Sequence, residues 1–283
     1  MIRNLFLMIS NIKKYRFLLL RRAVQFTILL LFFGANRYHW NLLVGNLSSA
    51  KVLDSFYLAD PFAVMQILAT GTLITVDILV GAIIVLVFYA LVTGRSFCSW
   101  VCPVNIITDF AATIRKKINI PKNVNYIKIS QSFRNYIFIL ALILSLLTGI
   151  AAYEVINPIG YTMRGVVFGF GIGSIMILVS IFLFDLLVLK HGFCGYICPI
   201  GAFYGFVSRY RLLKVNLNND KCTSCMDCKK VCPEVQVLDI IGKHSGNISQ
   251  GACTNCGRCI EVCNDKALKF SLNINNDKSV NNA

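Results

Sequence analysis

Four stretches of the chain are almost wholly apolar, and more polar segments separate them. Thr72–Thr93 and Val166–Leu189 each exceed the roughly 20 residues that a spanning helix needs, and Tyr136–Ile156 just meets that length. Ala23–Tyr38 is shorter, but Phe17–Leu20 before it are apolar, and Tyr38 and Trp40 suit a membrane interface. No small-residue cleavage site follows this first stretch and the chain stays hydrophobic beyond it, which argues for a retained span over a cleaved leader. The pattern predicts an α-helical membrane protein. A basic segment (1–22) precedes a four-helix transmembrane part (23–215), followed by a cysteine-rich unit (216–270) and a polar tail (271–283) expected to be disordered. Within the first connection, Asp60-Pro61 precedes Phe62-Ala63-Val64-Met65-Gln66-Ile67-Leu68. An N-cap, a first-turn proline and an apolar face predict a short helix lying on the outer membrane surface, either walling a quinone pocket or covering the bundle.

Composition agrees with a membrane protein. Charged residues make up 14% against about 25% for a soluble domain, and the mean hydropathy is +0.66. The basic residues fix the orientation, because cytoplasmic flanks retain lysine and arginine. Segment 1–22 carries six, 94–135 seven and the part from Lys190 onward twelve, whereas 36–71 holds only Arg37 and Lys51, and 157–165 only Arg164. Both termini are therefore expected in the cytoplasm. The net charge of +15 follows from this topology and from contact with anionic lipid, and no nucleic-acid motif is present. Arg209, Arg211 and Lys214 are expected to rest against lipid phosphates where the fourth helix meets the cysteine-rich unit.

All twelve cysteines fall in four short motifs. Two are CxxCxxCxxxC runs, Cys222-Cys225-Cys228-Cys232 and Cys253-Cys256-Cys259-Cys263. In a two-cluster bacterial ferredoxin such runs give three sulfurs to one cubane and the fourth to the other. That assigns Cys222, Cys225, Cys228 and Cys263 to one [4Fe–4S] cluster, and Cys253, Cys256, Cys259 and Cys232 to a second. Zinc would require paired cysteines at each site instead of triplets with a distant fourth. Disulfides are disfavoured on the cytoplasmic side. Pro233 follows the first run, but Asn264 stands where a second proline is usual.

The other four cysteines form an internal repeat. Phe97-Cys98-Ser99-Trp100-Val101-Cys102-Pro103-Val104 matches Phe193-Cys194-Gly195-Tyr196-Ile197-Cys198-Pro199-Ile200 in character, 96 residues apart. Each copy closes a helix pair at its cytoplasmic end, so the membrane part reads as two repeated pairs. Cys98, Cys102, Cys194 and Cys198 then converge, either as a metal or cluster site or as a dithiol couple; inert interfacial cysteines are the bland alternative. Among carboxylates in or near the apolar stretches, Asp77 and Glu154 are candidates to receive protons near the outer face. Asp185 is as readily a helix–helix hydrogen-bonding group. The three histidines, His39, His191 and His244, lie outside the spans, which disfavours bis-histidine haem.

Four spans, the duplicated FCxxxCP motifs and the double-cubane unit together resemble the NapH/MauN family of ferredoxin-type membrane proteins over nearly the whole chain. Related groups with the same motifs include assembly proteins of the CcoG type and the C-terminal half of NosR. The resemblance implies the quinol dehydrogenase membrane component of a periplasmic nitrate reductase system. Its substrate would be menaquinol or ubiquinol, and its acceptor a periplasmic NapG-like iron–sulfur partner leading to a cytochrome. Kinship with the CcoG type implies the alternative, a metal-handling or assembly factor using the CxxxCP cysteines. One physical difficulty accompanies the first reading. The cubanes are expected in the cytoplasm, about 30 Å of hydrocarbon away from an outer acceptor, so either quinol is oxidised near the outer face with the cubanes serving another input, or quinone moves between the faces.

Overall fold

The computed structural model describes residues 15–119, 130 and 132–272. Most of the basic N-terminal segment and nearly all of the tail expected to be disordered lie outside the described residues. The described residues begin with helix α1 (Arg16–Tyr38). An antiparallel meander follows, β1 (Leu43–Gly45), β2 (Ser49–Val52) and β3 (Phe56–Ala59), with Val44 opposite Lys51 and Ala50 opposite Leu58. Next come α2 (Pro61–Ala69), α3 (Val76–Thr93), α4 (Phe97–Trp100) and α5 (Val104–Lys117). The second half comprises α6 (Phe133–Thr148), α7 (Ala152–Ile156), α8 (Pro158–Phe168), α9 (Ile172–Val188), a π-helical turn Phe193–Ile197 and α10 (Pro199–Val207). The C-terminal unit has β4 (Leu213–Leu217), α11 (Asp227–Val231), β5 (Gly246–Asn247), α12 (Arg258–Glu261) and β6 (Leu268–Leu272), with sheet order β5-β4-β6.

The repeat seen in the sequence is also a repeat of backbone shape. α3 and α9 both finish in a π-helical segment, Phe88–Thr93 and Phe184–Val188. In each half a single wide turn then holds both cysteines, Cys102 N donating to Phe97 O and Cys198 N to Phe193 O, both at 2.9 Å. The proline after the second cysteine has no N–H and a fixed φ, so it ends that turn and opens the next helix.

Two helices, α1 and α3, are each long and apolar enough to cross a bilayer. α6 and α9 are equally apolar but shorter, because two of the apolar stretches are not continuous helices. Tyr136–Ile156 breaks at Gly149 (φ 69°) and Val166–Leu189 at Gly169 (φ 96°), both in backbone conformations that favour glycine. Hydrophobicity continues through these breaks, so composition alone cannot reveal them.

α2 forms as expected, with Asp60 Oδ1 accepting from Phe62 N at 3.3 Å. Its position departs from the expectation of a surface helix. Pro61, Phe62, Ala63, Val64 and Gln66 are buried, and Phe62 lies against Phe138, Tyr153 and Phe203. A helix apolar on nearly every side gains more inside a protein than at an interface. The main core thus joins α1, α2, α6 and α8 to both CxxxCP turns and α10. A second core, built on Val215, Leu217, Leu238, Ile248 and Leu268, lies within the C-terminal unit.

Candidate functional site

The two CxxC loops of the C-terminal unit have the same conformation. Ser224 and Met226 in the first, Asn255 and Gly257 in the second, all have positive φ between 47° and 75°. Three of the four are not glycine, so this turn is imposed at a conformational cost, as is common where a loop must aim side chains at a ligand. Cys228 feels the thiols of Cys222, Cys225 and Cys263, and its own thiol is pushed up, by burial first and then by these neighbours. Cys259 faces Cys256, Cys253 and Cys232 in the same way. In each case the fourth cysteine of the other run is among the groups that act on the thiol. A small hollow opens among Cys232, Cys253, Cys256 and Cys259, walled by Val215, Leu238 and Ile248.

The four FCxxxCP cysteines are also brought together. Cys102 and Cys198 are buried, Cys98 and Cys194 half-buried. Burial pushes the Cys194 thiol far up, and Cys102, Cys198 and Cys98 push it further. Cys102 responds likewise to burial, Cys98 and Cys198. Thiols held in this way are poor nucleophiles, since exchange chemistry needs the thiolate. They suit a metal, whose own charge deprotonates its ligands. Among the described residues, no three Cys, His, Asp or Glu side chains, those of the C-terminal loops included, form a group that could hold a single metal ion.

A second small hollow lies between this set and the C-terminal unit; Cys98 and Cys194 line it on one side and Cys256 and Thr254 on the other. Buried polar contacts close the seam around it. Arg95 Nη1 and Arg134 Nη1 both reach Glu234 Oε1, at 2.5 and 2.9 Å, and Arg95 Nη2 donates to Cys194 O at 2.7 Å. Ser99 Oγ donates to Thr254 O at 2.7 Å and Trp100 Nε1 to Asn255 O at 3.1 Å. Arg258 holds Asp109 by both carboxylate oxygens, and Arg22 engages the same carboxylate. Burial would raise the Asp109 carboxyl, but Arg258, Arg22 and Arg21 outweigh it and hold it below the usual range. His191 is neutral, its pKa pushed down to about 3 by burial and by Arg258 against the pull of Asp109.

The other sequence candidates fall in distinct places. Asp77 is exposed in the first turn of α3, where a carboxylate favours the helix dipole. Glu154 accepts from Ser48 Oγ at 3.0 Å and Asn157 Nδ2 at 2.9 Å. Asp185 is fully buried and accepts from Phe193 N at 2.9 Å, bracing the second CxxxCP turn. Arg211 and Lys214 do not rest against lipid. Both are buried, and Arg211 donates to Ser208 O, Ile248 O and Gln250 O, so it ties the C-terminal unit to its linker. Asp109, Glu234, Arg95 and Arg258 carry no local sequence signal. Only the fold assembles them.

Cysteine-lined loops clasped onto an apolar helical part define the class: a membrane protein that binds iron–sulfur clusters and transfers electrons. A family model described as a 4Fe-4S dicluster domain matches residues 214–264, and one described as a 4Fe-4S binding domain matches 74–121 and again 170–218. The chain belongs to the NapH/MauN family of ferredoxin-type proteins. It is 42% identical to "Ferredoxin-type protein NapH" of Haemophilus influenzae over 79% of this chain and 77% of that protein. It is equally similar, 42% over 79% and 78%, to "Methylamine utilization ferredoxin-type protein MauN" of Methylobacillus flagellatus. "Putative electron transport protein YccM" of Escherichia coli is 28% identical over 59% of this chain and 49% of its own length. No solved structure matches the chain.

Proposed function

We propose that the chain is the quinol-oxidising membrane subunit of a periplasmic reductase system. Electrons would pass to a periplasmic iron–sulfur partner, and through a cytochrome to nitrate reductase. In this reading Cys222, Cys225, Cys228 and Cys263 hold one [4Fe–4S] cluster and Cys253, Cys256, Cys259 and Cys232 a second. Cys98, Cys102, Cys194 and Cys198 hold a third iron–sulfur centre. Four helices, α1, α3, α6 and α9, cross the cytoplasmic membrane with both termini inside. The paired helix–turn–proline architecture and the segregation of basic residues support this. Such clusters, when bound, accept electrons singly and so split the two-electron oxidation of quinol.

The observation that carries the reading is a continuous buried column. Asp60, at the start of α2 in the first connection, accepts a hydrogen bond from Tyr204 Oη at 3.3 Å. Tyr204 stacks on Phe97, with ring centroids 5.3 Å apart, and Phe97 adjoins Cys98. Tyr153 Oη is 3.8 Å from Cys198 Sγ, and the next residue is Glu154. Side chains, not a bilayer thickness, separate the outer connection from the four-cysteine set. Quinol oxidation to quinone releases two electrons and two protons. Asp60, pushed up to about 7 by burial and then by Glu154, is suited to exchange such a proton.

The test is anaerobic addition of menaquinol or ubiquinol to the purified chain with its periplasmic partner, while cluster reduction is followed by EPR. If quinol leaves every cluster oxidised, the reading fails. Iron and acid-labile sulfide give the stoichiometry: about twelve irons per chain for three cubanes and about eight for two. Copper that binds the intact chain and is lost in Cys98→Ser would favour a metal-handling role.

A further inference from the structure

One face of α1 runs from the C-terminal unit to the first CxxxCP turn. Phe17, Arg21 and Gln25 occupy it, four residues apart and therefore on the same side of the helix. Phe17 covers Gly257, where a Cβ would come within 2.6 Å of the ring. Gln25 Nε2 donates to Ser99 O at 3.3 Å and Cys102 O at 3.0 Å. Arg21 lies between them, 0% exposed, and none of its three guanidinium nitrogens has a hydrogen-bond acceptor among the described residues. Asp109 Oδ2 is 3.9 Å from Nη1, beyond hydrogen-bonding range, and Arg22 and Arg258 already occupy that carboxylate. A guanidinium presents five N–H donors, and burying all of them unused is heavily penalised. Gly257, under the Phe17 ring one turn away on the same face, directly follows Cys256.

We propose that Arg21 is a redox-tuning residue: its N–H groups donate to the sulfurs of the cluster held by Cys232, Cys253, Cys256 and Cys259, and raise that cluster's reduction potential. Reduction adds one negative charge to the cluster. A fixed cation and N–H···S bonds stabilise the more negative state, and these are two of the means by which a protein sets cluster potentials. The matching loop provides an internal comparison. Its conformation is the same, yet Asp227 stands where Arg258 does, and Asp227 is paired with Lys230 at an exposed position. Arg22 and Arg258 share the Asp109 carboxylate, and Arg21, 3.9 Å from it, adds a further positive charge beside the second cluster. The two clusters are thereby separated in potential, with the one facing the CxxxCP set the more readily reduced.

The inference rests on the eight-ligand assignment above, and its test separates the two. Full-length chain is purified anaerobically as parent, Arg21→Met and Arg21→Lys. Iron is counted, and each cluster is titrated potentiometrically under EPR. In Arg21→Met one midpoint should fall by at least tenfold in its reduction equilibrium, which is 59 mV for one electron, while every other midpoint stays within threefold of the parent. In Arg21→Lys, which keeps the charge but loses the fork of donors, the same midpoint should fall by threefold to tenfold. All midpoints unchanged in Arg21→Met, or in Arg21→Lys if the first variant does not assemble, overturn the inference. A parent chain with fewer than about eight irons overturns the ligand assignment instead.

Discussion

Glu234 should be the least dispensable carboxylate at the seam. Its side chain is 3% exposed and receives Arg95 (1%) and Arg134 (9%) on a single oxygen. At an effective dielectric of about 20, each pair at this distance is attracted by roughly 5 kcal/mol, but most of that only offsets the desolvation of three ions. Glu234→Gln keeps the shape and one acceptor oxygen while removing the charge, so two guanidiniums stay buried without compensation. The expected loss is about 3–5 kcal/mol, the usual cost of removing one member of a buried pair. At about 2–4 °C per kcal/mol for a protein of this size class, the melting point should fall by on the order of 10 °C. Thermal unfolding in detergent, read through loss of cluster absorbance and through tryptic cleavage beside Arg209 and Arg211, measures this directly. Asp227→Asn supplies the contrast, because its pair with Lys230 is exposed on both sides and exposed pairs contribute little. If Glu234→Gln melts within about 1 kcal/mol of the parent, or no further from it than Asp227→Asn does, the clasp is not what holds the unit to the helices.

Three further outcomes follow from the geometry. Gly257→Ala combines a φ of 75° with a Cβ 2.6 Å from Phe17, whereas Gly149→Ala has a similar φ of 69° and open space around it; calorimetry should show a loss of about 1 kcal/mol for the second and two to three times that for the first. Gln25→Leu removes the donor to Ser99 O and Cys102 O and should cost about 1–3 kcal/mol, measured by denaturant unfolding, with a loosened first CxxxCP turn seen as faster amide exchange at Cys102. For His191, the folded pKa of about 3 lies below the ordinary 6.5. Between those values the unfolded chain binds a proton that the folded chain refuses, so stability rises with pH across this window and levels off above it. Lowering the pH from 6.5 to 5 should therefore cost about 2 kcal/mol, and in His191→Gln that slope should disappear from the melting curves.

The cysteine motifs were legible because their chemistry is local. A CxxCxxC loop turns over a few residues, so spacing alone says which sulfurs share a loop, and the two runs do take the same turn, with positive φ at Ser224 and Met226 and again at Asn255 and Gly257. The FCxxxCP repeat was legible for the same reason, and its two copies share a turn, a proline and a preceding π-helical segment. Elements whose placement depends on partners were not legible. Asp60-Pro61 announces a helix start in any setting, but whether that helix meets lipid or Phe138 and Phe203 depends on a helix 70 residues further on. The basic residues have a second role that counting does not show. Counting lysine and arginine treats every one as a topological charge facing water or phosphate, yet Arg21, Arg95, Arg134 and Arg211 are buried. Two carboxylates, Asp109 and Glu234, serve Arg22, Arg95, Arg134 and Arg258 among them. Such an excess of buried cations is tolerable only beside groups of negative charge, and the thiolate-ligated clusters expected in the adjoining hollows are such groups. The arginines that looked like membrane topology are thus equally part of the redox site, and the two roles coincide because the cysteine motifs lie at the helix ends where basic residues also gather.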